Sequence, residues 1–317
     1  MTRRILVALD GSPTAESALP YAESLARLSD ATLVLIQVAL AGEALEALDT
    51  DHPNVLRYSP PAPTGPTDPH VAHRLLSESR EYLNALADDL RGREITVTTA
   101  VVSGDPGEVL VEQATLRHAD MLVMSTHGRS GVGRLLYGSV AESVIVRSAI
   151  PILLVRAGSP RFALPSIGTQ VRLLVSLDGS PSAEKALPFA TDLTRALKAE
   201  LVLARIIPTA GGETRHSIAN SPSHASASPD ADAATYLDTI ATRLRADGTR
   251  VSTAVRWDNP PAGIISIAEA TDSSFIVMAT HGRTGIGRAI LGSVALEVVR
   301  QGRRPVLLVR SGTNESA

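Results

Sequence analysis

The chain of 317 residues contains no cysteine and only two lysines, Lys185 and Lys198. Without cysteine there is no disulfide, no thiol nucleophile and no thiolate zinc site. Aromatic residues make up 3%, with Trp257 the only tryptophan, so stacking platforms for nucleic-acid bases have little to be built from. A formal charge of −3 argues against a general polyanion binder, and basic character carried almost wholly by arginine reads as compositional bias rather than phosphate recognition. No apolar run approaches the roughly 20 residues of a membrane span. The start, "MTRRILVALDGS", has too few apolar residues before Asp10 for a signal-peptide core. The expectation is a cytoplasmic protein that binds neither nucleic acid nor membrane.

What the chain does have is a repeat. "MSTHGRSGVGRLLYGSV" (Met124–Val140) returns as "MATHGRTGIGRAILGSV" (Met278–Val294), 154 residues later. Residues Ile5–Val38 align without a gap on Leu173–Ile206, with 19 of 34 positions identical, "LDGSP" included. Two homologous domains follow, 1–156 and 171–311, with a linker at 157–170 and a tail at 312–317.

Within each half, short apolar runs alternate with helical spacing. "RILVAL", "ATLVLIQV", "ITVTTAVV", "DMLVMS" and "PILLV" read as strands. Ser12 caps a helix with Pro13 at its first position, and Pro20 and Pro188 call for a kink or a late start. "LLSESREYLNALADDLRG" is an amphipathic helix, Asp105-Pro106 opens another with Glu108 in its first turn, and Ser139–Ser148 is the fourth. Apolar strands alternating with helices imply an α/β fold, a parallel sheet covered on both faces. The Pro- and Ser-rich stretches 41–70 and 208–233 interrupt this order as surface loops, or as lids or partner-binding segments. Their histidines have no metal-ligand spacing.

Dense glycine is suited to sharp turns and to close approach of a ligand. The repeated stretch joins the fourth strand to the fourth helix, and open parallel sheets bind ligands at the carboxyl ends of strands where strand order reverses. Gly138-Ser139 starts a helix, whose free N–H groups favour an anion. Two commoner phosphate motifs fail. A P-loop needs a lysine that neither stretch has, and Gly131-Val132-Gly133 is followed by Leu136 where a dinucleotide fingerprint needs glycine.

The spacing G-x2-G-x9-G-S/T after the fourth strand, with "LDGSP" at the domain start, resembles the ATP-binding branch of the universal stress protein family in its tandem-domain form. Gly128 and Gly138-Ser139 fit the motif in one half, Gly282 and Gly292-Ser293 in the other. Ser125 and Ala279 stand where the motif has its first glycine. The resemblance implies two Rossmann-like sheets of five parallel strands, each of order 3-2-1-4-5. It also implies ATP with Mg2+ (or Mn2+) bridging its phosphates and no metal ligands from protein side chains. In the first domain Asp10 and Val38 match the adenosine-contact positions, with Ala8 and Gly104 also in the site. Ser125, His127, Gly128, Arg129, Gly138, Ser139 and Val140 would take the phosphate end. In the second domain the corresponding sets are Ser176, Asp178 and Ile206, and Ala279, His281, Gly282, Arg283, Gly292, Ser293 and Val294. The edge strands "PILLV" and "PVLLV" are expected to pair the two halves as a pseudo-dimer, and two chains to form a possible homodimer.

Other readings stay open. Asp10 either meets the ligand or only caps the turn at Gly11-Ser12. His127 and His281 act as base or phosphoryl acceptor, or pack beside the loop. Arg129, Arg134, Arg283 and Arg288 neutralise phosphate or point to solvent. Asp258, at the position of Gly104, is expected to weaken the second site by repelling phosphate. Three functions compete: an ATP-binding regulatory protein; a slow ATPase or phosphotransferase; and a structural stress protein without nucleotide. The second lacks the lysine clamp of efficient phosphoryl transfer.

Overall fold

The computed structural model describes residues 3–39, 69–126, 138–156, 171–209, 228–280 and 291–310. His127, Gly128, Arg129, Arg134, His281, Gly282, Arg283 and Arg288 therefore lie outside the described residues, as do the linker, the tail and most of both loops. The chain divides into two units, Met1–Leu164 and Pro165–Ala317.

In the first unit, β1 (Arg4–Leu9), β2 (Thr32–Ala39), β3 (Val97–Ser103), β4 (Met121–Ser125) and β5 (Ile152–Val155) form a sheet of order β3-β2-β1-β4-β5. Every pair is parallel, with Ile5 opposite both Leu33 and Met121, and Leu122 opposite Ile152. The strands lack alternation because both faces are covered; Leu6, Leu33, Leu35, Ile36, Leu122, Leu153 and Leu154 are among the most deeply buried side chains. The helices are α1 (Pro13–Glu16), α2 (Leu19–Ser29), α3 (Pro69–Gly92), α4 (Pro106–Leu116) and α5 (Ser139–Arg147). Right-handed crossovers put α2 and α3 on one face and α4 and α5 on the other.

The prolines act through their missing N–H. Pro13 follows its cap Ser12, whose Oγ accepts the Ala15 N–H at 3.1 Å. The helix then breaks, and α2 restarts with Pro20 in its first turn, the late start that the proline calls for. Asp105 caps α4 through the Glu108 N–H at 3.0 Å. α3 begins at Pro69, six residues before the helical spacing becomes evident at Leu75.

The second unit repeats the plan: β6 (Arg172–Ser176), β7 (Glu200–Pro208), β8 (Val251–Asp258), β9 (Phe275–Ala279) and β10 (Val306–Val309), in order β8-β7-β6-β9-β10. Its helices are α6 (Pro181–Glu184), α7 (Ala186–Ala196), α8 (Pro229–Ala246), α9 (Pro260–Ala270) and α10 (Ser293–Gln301). α8 takes in the end of the stretch read as a loop. Ser228 caps it, Pro229 begins it, and Asp230 and Asp232 sit in its first turn, where carboxylates favour the helix dipole. Glu200 ties β7 to its neighbours. Burial would raise its carboxyl, but the Ser252 hydroxyl and the Arg172 guanidinium outweigh burial and hold it below the usual range.

Gly107 lets α4 and α5 meet closely. A Cβ there would stand 2.4 Å from Ser143 Oγ and 2.5 Å from Ser143 Cβ, so Gly107→Ala forces the helices apart and costs about 1–3 kcal/mol. Ser143→Gly removes the colliding atoms, and its cost is therefore smaller in the Gly107→Ala background than in the unsubstituted protein. Urea denaturation of the double-mutant cycle measures that coupling; additive effects would contradict it.

Candidate functional site

Reversal of strand order between β1 and β4 leaves their connections departing on opposite faces, and a crevice opens at the carboxyl ends. In the first unit it has a volume of about 420 Å³. Its floor is Ala8, Asp10 and Val38, one wall comes from Leu75 and Ser79 of α3, and the other from Pro106, Leu110 and the start of α5. Ser125, Gly138, Ser139 and Val140 complete it. The second unit has its equivalent, about 500 Å³, lined by Ser176, Asp178, Ile206 and Ala279 together with Gly292, Ser293 and Val294. Thus the described residues singled out in the sequence converge on two crevices, with Gly104 and Asp258 the exceptions. Gly104 turns the chain after β3 with φ of 138° and does not line the cavity.

Some helix starts have a side-chain cap, and others, α2, α7 and α9 among them, have none. Ser12, Asp105, Ser180 and Ser228 each cap a helix with a side-chain oxygen. α5 and α10 begin instead at Gly138 and Gly292, with no side-chain cap. The Gly138 N–H donates to the Thr126 carbonyl at 2.9 Å and the Gly292 N–H to the Thr280 carbonyl at 2.7 Å, which anchors each helix start to the end of the adjoining strand. The first-turn N–H groups have no intrahelical acceptor, and they carry the positive end of the helix dipole to the crevice.

Gly138 is informative for another reason. Its φ of −58° and ψ of 148° suit any L-residue. A Cβ there would meet nothing closer than the Thr126 carbonyl oxygen at 3.6 Å. Neither backbone strain nor packing among the described residues calls for glycine; the open space beside the helix start does.

Asp10 performs the local role. Its Oδ1 accepts the Ser12 N–H at 2.9 Å, and Asp178 does the same for Ser180 at 2.9 Å. Each carboxylate is thereby fixed in orientation at the crevice floor. Asp258 is not among the lining residues. Its Oδ2 pairs with Arg256 Nε at 3.0 Å, and its Oδ1 accepts the Asn259 N–H at 2.8 Å. The repulsion expected of it therefore has no support in this geometry: the carboxylate is turned to its own partners.

Among the polar lining residues that were not singled out in the sequence are Gln37 in the first crevice and Arg205 in the second. They hold equivalent positions in the repeat. Gln37 is 9% exposed, and its Oε1 is buried with no hydrogen-bond partner among the described residues. The Arg205 guanidinium lies 4.8 Å from the centroid of the Tyr236 ring, within cation–π range. The Tyr236 hydroxyl donates to Glu184 Oε1 at 2.9 Å. Burial first, and then Glu184, push that phenol well above its usual range, while Arg205 opposes them. Tyr236 is thus a neutral donor that holds its ring under the cation. Among the described residues no cluster of His, Asp or Glu could hold a metal ion, and none of their helices is long and apolar enough to cross a membrane.

Fold and crevice together define an open, doubly wound α/β domain, present twice. The family model described as "Universal stress protein family" matches residues 1–156 and 171–310, and the chain belongs to that family. It is 24% identical over 325 residues to a universal stress protein of Mycolicibacterium smegmatis, with 96% of each chain covered. It is 25% identical over 218 residues to one of Mycobacterium tuberculosis, covering 69% of this chain and 70% of that one. A universal stress protein crystal structure from Archaeoglobus fulgidus has the same fold, with a TM-score of 0.70 at 19% identity and 98% of both chains covered.

A buried amide oxygen without a partner costs about 1–3 kcal/mol. Gln37→Met, close to it in shape, is expected to raise the stability of the ligand-free protein by about 1 kcal/mol, read by urea denaturation. Loss of stability instead would show that the amide has a partner in the folded chain.

Proposed function

We propose that this chain is a stress-response regulatory protein that binds a purine nucleoside triphosphate in each of its two domains, ATP in the first. The observation that carries this reading is Gly138: an uncapped helix start at the carboxyl end of a parallel sheet, with a glycine that neither φ nor packing demands. A side chain there would project beside the first-turn N–H groups, where phosphate oxygens bind best. In this reading Gly138, Ser139 and Val140, and Gly292, Ser293 and Val294, hold phosphate, and the motif residues Gly128 and Gly282 approach it. His127, Arg129, His281 and Arg283 flank it. Ala8, Asp10 and Val38, and Ser176, Asp178 and Ile206, hold the nucleoside. Mg2+ or Mn2+ would sit between phosphates and water.

Binding rather than turnover is the function favoured. No lysine lines either crevice, and Asp10 and Asp178 each spend one oxygen on the turn that follows. The setting that we propose is the cytoplasm, where ATP is abundant.

Valine adopts the extended backbone of Gly138 and Gly292 readily, so neither substitution strains the backbone. ATP affinity in the Gly138→Val, Gly292→Val double variant is expected to fall at least about tenfold, or 1.4 kcal/mol, by calorimetry. Unchanged affinity in a variant still folded by circular dichroism would sink the reading.

For assembly, we propose that β5 and β10, each an apolar strand at one edge of its own sheet, pair the two domains as a pseudo-dimer, since such an edge otherwise invites aggregation. Separately expressed halves are then expected to associate in sedimentation. Halves that stay apart at every concentration would exclude it.

A further inference from the structure

Gln37 and Arg205 stand at equivalent positions beside otherwise matching crevices. Gln37 is in register with Leu9, one residue before Asp10. Arg205 follows Ala204, whose carbonyl accepts the Leu177 N–H at 2.8 Å, one residue before Asp178. Both therefore border the part of the crevice marked by Asp10 and Asp178, away from the uncapped helix starts. A tyrosine–glutamate pair is common to both units: the Tyr82 hydroxyl donates to Glu16 Oε1 at 3.0 Å as Tyr236 does to Glu184. What differs is hydrogen-bonding capacity. A carboxamide offers an acceptor and a donor side by side, whereas a guanidinium offers donors only.

We propose that the two crevices select different purines: the first an adenine nucleotide read by Gln37, the second a guanine nucleotide read by Arg205. The inference rests on the nucleotide reading above and adds base selection to it. Adenine presents a donor, N6, beside an acceptor, N7, which a glutamine amide matches with two hydrogen bonds; guanine presents two acceptors, O6 and N7, which an arginine fork matches. The buried, unpartnered Oε1 of Gln37 is the acceptor that the adenine amine requires. Arg205 forms no ion pair among the described residues; it is held from behind by Tyr236, with its fork beside Gly179. The second crevice also has a carboxylate, Asp232, at its rim in addition to Asp178. Carboxylates accept from the N1–H and the amino group on guanine's opposite edge, which adenine cannot supply together.

Calorimetry with ATP and GTP on the intact chain tests this. Gly138→Val leaves the second crevice open and Gly292→Val the first. The Gly292→Val protein is expected to prefer ATP and the Gly138→Val protein GTP, each by about tenfold, the low end of what one bidentate base contact supplies. Adding Arg205→Gln to Gly138→Val should shift its preference towards ATP, and adding Gln37→Arg to Gly292→Val should shift its preference towards GTP. The same ATP-to-GTP ratio in both single variants, or ratios that neither exchange moves, would overturn base selection while leaving nucleotide binding standing. Binding of neither nucleotide to the unsubstituted protein would overturn both.

Discussion

The structure depends on one topological constraint. Parallel strands require long right-handed crossovers, and in each unit the chain adds strands in one direction from the first and then returns to its other side. That reversal makes β1 and β4 neighbours, and likewise β6 and β9. Their connections leave on opposite faces, so backbone groups at their carboxyl ends are not covered by a helix. The crevice is a consequence of strand order, and the residues at strand ends inherit the position of a site.

On this scaffold, local chemistry decides what the crevice can hold. At Ser12, Asp105, Ser180 and Ser228 a side-chain oxygen caps the helix, which stabilises it by about 1 kcal/mol. At Gly138 and Gly292 no side chain takes that part, and the first turn keeps its N–H groups for a ligand. Asp10 and Asp178 brace the floor by accepting a turn N–H. The same contact that fixes the "DGS" turn therefore also sets the carboxylate's orientation toward the crevice.

Parallel pairing and an interruption of the first helix at Pro20 were legible in the sequence because each has a local cause, a continuous apolar run and a missing proline N–H, whereas the strand order came only from the family resemblance. The start of α8 was hidden by composition. "HASASPDADA" reads as a polar loop, although Ser228, Pro229 and the two aspartates are themselves start signals. Gln37 and Arg205 were missed because each sits inside an apolar run, where a single polar residue is absorbed by the strand pattern. The available signal was the repeat itself, which sets a neutral amide against a cation near a strand end that otherwise matches closely. Asp258 shows the opposite error: register placed it correctly, but only the structure shows its carboxylate turned to Arg256.

The central claim is that the uncapped starts of α5 and α10 hold the phosphates of a nucleotide. Amide hydrogen exchange of the intact protein with and without ATP tests it most directly. The account predicts slower exchange at the N–H groups of Ser139, Val140 and Ala141, and of Ser293, Val294 and Ala295, when ATP is bound. ATP binding that leaves exchange at both helix starts unchanged would contradict it.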